Sequence, residues 1–578
     1  MRPIGAPESR NPSFCHATPG WLLALLLGAG SCAAPPDEAA REGGEAISAT
    51  PPPVQTPVIH IGRSVAVTDL PTLEATDARG RVRFSLERVL GYIAATSGDT
   101  HGLDAIGLYT RVFDTNNTKA TGHVADGQHC DDQKDANGNA VLNGLPIECP
   151  RQEGALADIQ THNPFCSGAG CDPYTPVAIT NRFDLAAVNG QTCGQYRIVF
   201  AKGVQHSPLE TAGNPLVLNR NMMIFEAVMP NPRPQLGLAG CAKVVQFWAG
   251  LSNIDDPAQR AEALDRFFFA GIPSFPPAFD FGHFSGADDP TTGEQLGGQV
   301  RANQFMNDPQ TGGGGQMWQL REYNLRRTCS GNGKNKSCKA AVEMVPTRFN
   351  PPSSLFDEND QSPLALAFRD PLNKSGFISQ VKNLAQDDVN IINMNGLSRE
   401  FNNGQSTSSP LFDPTIPPAD DTNYNMMFNP SGPFAANIGA ALAAMGSTLT
   451  PSDIVRRAQT QACAGCHELA TSTAPFFGGV PGSNQLGGGL VWPDAAAGPA
   501  VEIAPDVLVR LNAFTQISDS LLVPLTDGVT CDTACTAHAE TCQCAWAVSP
   551  ALADAFLPFR GENMSKFLKG LHGSHDSH

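Results

Sequence analysis

Residues 194–202 read GQYRIVFAK and residues 221–232 read NMMIFEAVMPNP. Both are short runs rich in apolar, β-branched and aromatic residues, and both are bounded by Gly, Asn or Pro. That combination predicts strands, because a pleated surface accommodates branched side chains and the flanking residues make turns. The preceding stretch TPVAITNRFDLAAV (175–188) has the same character, so a β signal dominates from about residue 175. MWQLREYNL (317–325) and VEMVPTRFN (342–350) predict further strands. Between them KVVQFWAGL (243–251) and DPAQRAEALDRFFFAGI (256–272) read as helices, the second opened by an Asp-Pro pair suited to a helix start. No repeat of constant period is present. The predicted fold class is α+β, with a large mixed, β-rich domain over residues 58–435, at the upper size for a single domain and large enough to divide.

Upstream, VIHIGRSVAVTD (58–69) alternates as a strand would. RFSLERVLGYIAATS (83–97) sets Phe84, Leu86, Val89, Leu90 and Ile93 at helical spacing. Residues 33–57 are Ala, Pro and Glu with little to bury and predict a linker. Residues 1–32 read as an export signal: Arg2 and Arg10 precede the apolar run WLLALLLGAG, which leads into SCAAPP. The run is too short to span a bilayer stably. Cys32, after Ala29, Gly30 and Ser31, resembles the lipidated cysteine of bacterial lipoproteins, although Ala29 stands where leucine is usual. Ordinary signal-peptide cleavage is the other reading. With Cys32 lipidated, the membrane would be engaged only through that lipid anchor.

Of 578 residues, 38 are basic and 56 acidic, giving a net charge of −18 that argues against nucleic-acid binding. The 16 cysteines match an oxidising compartment. Cys130 with Cys149, Cys166 with Cys171, Cys329 with Cys338, Cys193 with Cys241, and the group Cys531, Cys535, Cys542 and Cys544 are candidate disulfides.

Toward the C-terminus FNPSGPFAANIGAALAAMGS (428–447) turns to small-residue helix. In TLTPSDIVRRAQTQACAGCHEL (448–469), Thr450 is a helix cap, Pro451 the first helical residue and Asp453 the partner of a capping box. Ile454, Ala458 and Ala462 carry one helical face toward Cys463, Cys466 and His467. These three form C-x-x-C-H, the attachment signature of c-type haem. Two thiols at that spacing reach the two vinyl groups of one porphyrin, and the adjacent imidazole is the proximal iron ligand. With 16 Cys and 13 His, chance yields about 0.01 such matches per chain. The alternatives are a Cys463–Cys466 disulfide beside a surface histidine, a thioredoxin-like redox pair, and a zinc site short of two ligands.

Met564 is the first candidate for the distal iron ligand, His538 the second, and an open site the third; His572, His575 and His578 belong to a His-rich tail (571–578). Phe476, Phe477, Leu486, Leu490 and Trp492 are either the dry wall of a haem pocket or ordinary core. Gly487, Gly488 and Gly489 mark a close approach to a flat ligand or a turn. DDQKDANGNAVLNG (131–144) departs from a calcium loop through Gln133 and reads as a solvated turn. Arg182 with Asp184, and Arg197 with Glu226, are charges within apolar strands that pair across a sheet or line a pocket. No G-x-S-x-G, H-E-x-x-H or phosphate-loop pattern specifies an enzyme class.

NRFDLAAVNGQTCGQYRIVFAK (181–202), RNMMIFEAVMPNP (220–232), MWQLREYNL, FNNGQST (401–407), RRAQTQACAGCHEL (456–469) and GGGLVWP (487–493) together resemble a group of exported bacterial lipoproteins, commonest in myxobacteria. That resemblance implies an envelope location, in the periplasm or at the outer membrane, and no substrate. Residues 436–570 resemble a c-type cytochrome domain through Cys463, Cys466 and His467, which implies a smaller, mainly helical region. The expectation is a cell-envelope lipoprotein with one covalent haem c, an electron-transfer or haem-based redox role, and a redox partner protein. A disulfide-stapled binding or structural protein without haem is the alternative.

Overall fold

The apolar runs build one antiparallel sheet. In chain order its strands are β1 (Ala66–Val67), β2 (Thr175–Arg182), β3 (Thr192–Lys202), β4 (Asn221–Pro230), β5 (Gln299–Asn307), β6 (Gln316–Ser330), β7 (Ser337–Val345) and β8 (Ser406–Ser408). Strands β1 to β6 lie side by side in sequence order. The long β6 then pairs with β8 along Trp318–Leu320 and with β7 along Glu322–Ser330. The computed structural model describes residues 58–573 except 150, 152, 155–162, 167–172, 203–220, 290–294, 308–315, 409–422, 467–484, 492–516, 526–530, 532–541 and 550.

Directly opposed residues of an antiparallel pair share a face. Ile198, Phe225, Val300 and Tyr323 are opposed in succession across β3 to β6, and each is at most 1% exposed. They enter one large core with four helices: α1 (Leu86–Thr96), α2 (Ala105–Asp114), α3 (Ala242–Gly250) and α4 (Pro257–Phe269). Local chemistry starts three of them. Ser85 accepts from the Arg88 amide, Asp104 from Gly107, and Asp256 from Ala258 one residue beyond Pro257. Tyr196 stacks on Trp248 at 5.5 Å and meets Phe267 edge-on at 4.9 Å, tying β3 to α3 and α4.

A second core gathers Phe356, Phe368, Phe377, Phe434, Ile438, Ile454 and Ala458. It takes in α5 (Pro433–Ala444) and α6 (Pro451–Gln459), and α6 carries the expected capping box. Thr450 Oγ1 accepts from the Asp453 amide at 3.3 Å, and Asp453 Oδ2 accepts from the Thr450 amide at 2.8 Å.

The described residues of 436–570 do not show the expected cytochrome c-like fold: besides the helices α5 and α6 they hold strands. The apolar runs ISDSLLVP and CAWAV pair antiparallel as β9 (Ile517–Pro524) and β10 (Cys544–Val548). The Trp546 amide bonds the Thr68 carbonyl at 2.9 Å, and Leu522, Trp546, Val548, Met564 and Leu568 belong to the first core. The final helix α7 (Leu557–Gly573) packs there too, with Phe567 4.9 Å from Phe183. Gln55–His578 groups as one compact unit. The strand expected over VIHIGRSVAVTD is reduced to Ala66–Val67, because Ile61–Ser64 closes a helical turn. The segment 131–144 is the solvated turn expected, with Asp135 accepting from the Asn137 and Asn139 amides.

Disulfides join Cys130–Cys149, Cys193–Cys241, Cys329–Cys338 and Cys531–Cys544, and Cys542 is also disulfide-bonded. The expected Cys166–Cys171 pair falls on Cys171, outside the described residues. The bonded set marks an oxidising compartment. No described helix is long and apolar enough to cross a membrane.

Candidate functional site

The face of the sheet opposite the aromatic core is charged. Arg197 on β3 stands directly opposite Glu226 on β4, with Nη1 2.9 Å from Oε1. Glu226 also meets Arg301 of β5 at 3.4 Å, and Arg301 reaches Glu322 of β6 at 3.1 Å. The file continues through Arg348, 3.8 Å from Glu322 and 2.5 Å from Asp288, to Arg399, 2.6 Å from Asp288. At the β2 end Asp184 takes a two-pronged contact from Arg182, at 3.0 and 2.8 Å. Glu226 and Glu322 are fully buried, and Gln299 Nε2 donates to Glu226 as well. Burial alone would raise the Glu226 carboxyl, but Arg197, Arg301 and Arg182 outweigh it and hold it below its usual range. The Glu226 carboxylate therefore stays ionised between its arginines.

The C-x-x-C segment comes down on this face. Helix α6 stops at Gln459, residues 460–462 turn, and a single helical turn resumes at 463–466. The continuous helical face expected to lead into Cys463 is thus broken. Gly465 explains part of the geometry: a side chain there would collide with the Gln459 carbonyl. Ser406 of β8 accepts from the Ala464 amide at 2.9 Å and donates to Asn350 Oδ1 at 2.7 Å. The stretch FNNGQST therefore fixes the start of the cysteine turn: Asn402 Oδ1 and the Asn403 amide both bond the Asn350 backbone.

Cys463 packs with Trp318, Leu320 and Ala464, whereas Cys466 packs against Ile392, Leu486, Leu490 and Ala551. Three residues apart on one turn, the two side chains share a side of the helix. Cys463 is an unpaired thiol, so the Cys463–Cys466 disulfide is not formed. Burial pushes its thiol up to about 11, with Arg301 opposing and Glu322 and Glu226 adding to the rise. At neutral pH it is neutral rather than the thiolate that nucleophilic redox chemistry requires. That disfavours the thioredoxin-like alternative.

Arg457, on α6, holds the segment in place. Its guanidinium donates to four carbonyls: Leu384 at 3.0 Å, Gln386 at 2.7 Å, Leu486 at 3.2 Å and Gly487 at 2.7 Å. Gly487, Gly488 and Gly489 all have positive φ and turn the chain between Gln485–Gly487 and Leu490–Val491. Of their two readings, the turn is the one formed.

His467 lies outside the described residues, as do Cys32, His538, Phe476, Phe477 and Trp492. Met564 is described and buried at 1% exposure. Its sulfur is 3.2 Å from Asn181 Nδ2, within the first core, and shares neither cysteine's apolar cluster. Among the described residues, no group of three or more His, Cys, Asp or Glu side chains is placed to hold a metal ion.

Sequence reading reached Arg182, Asp184, Arg197 and Glu226 but missed Arg301, Glu322, Arg348, Asp288 and Arg399. The available signal was the polar alternation Gln299, Arg301, Asn303 in β5, which by pattern alone looks like a solvent face. The donor set Cys463, Cys466 and adjacent His467 fits covalent haem attachment in its chemistry, with an unpaired thiol at its first position. No family model, no curated protein and no solved structure matches this chain.

Proposed function

We propose that this chain is an exported envelope lipoprotein, lipidated at Cys32, in which Cys463 and Cys466 hold one haem c covalently and His467 is the proximal ligand. The observation that carries this reading is the thiol at Cys463. Among the described residues, four disulfides consume eight cysteines, while Cys463 stays unpaired one helical turn from Cys466 and beside His467. Bound there, the haem would supply one-electron redox chemistry or ligand binding at iron.

The chain's own residues do the positioning. Ser406 and Gly465 set the turn that presents both cysteines, and Arg457 locks the Leu486–Gly487 segment whose Leu486 lies against Cys466. Apolar contacts leave both cysteines half-buried. Met564, whose sulfur is engaged by Asn181 within the first core, would not be placed to hold the iron.

Intact mass and visible spectrum of protein made with a haem-attachment system test the reading. The expected result is a gain of one haem mass per chain and a c-type spectrum, both lost in Cys463→Ser/Cys466→Ser. A colourless native protein, two hydrogens lighter at this pair, would overturn it in favour of a stapled scaffold.

A further inference from the structure

Among the described residues, the ion pairs of the charged face hold more arginines than carboxylates. They involve six arginines (Arg182, Arg197, Arg301, Arg348, Arg399 and Arg560) and only four carboxylates (Asp184, Glu226, Glu322 and Asp288). Buried guanidinium needs a partner, since removing an ion from water costs several kcal/mol by order of magnitude. Arg560 is the least provided for. Its side chain is 11% exposed, its nearest carboxylate is Asp184 at 4.0 Å, and that carboxylate is already gripped on both oxygens by Arg182.

We propose that Arg560 on α7 and Arg182 on β2 form the two jaws of a site for a small oxyanion, a carboxylate or a phosphate. Three structural features converge on it. Asp184 fixes the Arg182 guanidinium through Nε and Nη2, and 18% of the Arg182 side chain is still exposed. Helix α7 is anchored through Phe567 on Phe183 and Met564 on Asn181, so Arg560 is delivered to the end of β2 by rigid packing on both sides. Planar forks of this kind match the paired oxygens of carboxylate and phosphate. Burial, then Arg182, depress the proton affinity of Arg560, with Asp184 opposing; an added anion would relieve that imbalance.

The site is independent of the haem reading, since neither arginine belongs to the cysteine turn. It is tested on the full exported chain by calorimetric titration with inorganic phosphate, and separately with succinate, at constant ionic strength. The expected result is saturable one-to-one binding of at least one of them, weakened about tenfold or more in Arg560→Gln and less in Arg560→Lys. Preference for phosphate or for succinate then identifies which oxyanion the site takes. A flat wild-type titration with both anions, or unchanged affinity in Arg560→Gln, overturns the proposal. Should Arg560→Gln not fold, Arg182→Lys replaces it: equal binding by that variant and the wild type is equally fatal.

Discussion

Arg197 Nη1 lies 2.9 Å from Glu226 Oε1, on residues directly opposed across adjacent strands and on the face turned away from the aromatic core. Glu226 is shared with Arg301, so one fully buried carboxylate balances two guanidiniums. Breaking such a group from one side is worse than never having built it. Glu226→Gln should therefore lower unfolding free energy by about 3–5 kcal/mol in denaturant titration. A loss below about 1 kcal/mol, the value of an exposed pair, would mean that solvent reaches the file.

Arg457 satisfies four carbonyls at once, which a lysine ammonium cannot match in geometry. Arg457→Lys should cost on the order of 3 kcal/mol by leaving buried acceptors unmet. Hydrogen exchange should speed up around residues 384–387 and 485–488 and leave β3 and β4 unaffected.

Glu74 follows the helical turn Leu70–Leu73, and burial raises its carboxyl from 4.5 to about 7. A raised carboxyl is protonated in the native state while the unfolded chain has already ionised. The associated stability is fully present below pH 4.5 and is lost as pH rises through about 7. Glu74→Gln should thus raise the thermal midpoint at pH 8 and have little effect at pH 4. Equal effects at both values would contradict the assignment.

Cys463, in chain prepared without attached haem, should react slowly with iodoacetamide at pH 7 and accelerate as pH approaches about 11. Fast alkylation at neutral pH, mapped by peptide mass, would show that the thiol is not sheltered by Trp318 and Leu320.

Removing the capping box is a milder perturbation. Thr450→Ala should cost about 1 kcal/mol, since one amide at the start of α6 loses its acceptor while the helix keeps Pro451 and its buried face. Thermal unfolding measures the effect, and a loss above about 2 kcal/mol would mean Thr450 has a further role.

The parts of this fold governed by short-range chemistry were legible in the sequence. Asp256-Pro257 opens α4, Thr450 and Asp453 box the start of α6, and the Cys193–Cys241 bridge follows from two otherwise unmatched cysteines. The long-range relationships were not. Nothing local announces that β10 hydrogen-bonds Thr68, or that Met564 packs beside Asn181 rather than near the cysteine turn. Arg301 and Glu322 alternate with apolar residues as exposed positions do, and only the register of β5 on β6 makes them partners. The break after Gln459 was equally hidden, because the four-residue spacing of Ile454, Ala458 and Ala462 persists through a turn that the Gly465 contact helps to set.

Because β9, β10 and α7 fill the same interior as residues 65–113, the first core cannot be sealed until these elements have been synthesised. Until the last helix arrives, an apolar sheet face and the open flank beside β1 stand ready to associate with other copies. A message truncated ahead of Trp546 would therefore yield an insoluble, protease-sensitive product rather than a shortened working fragment.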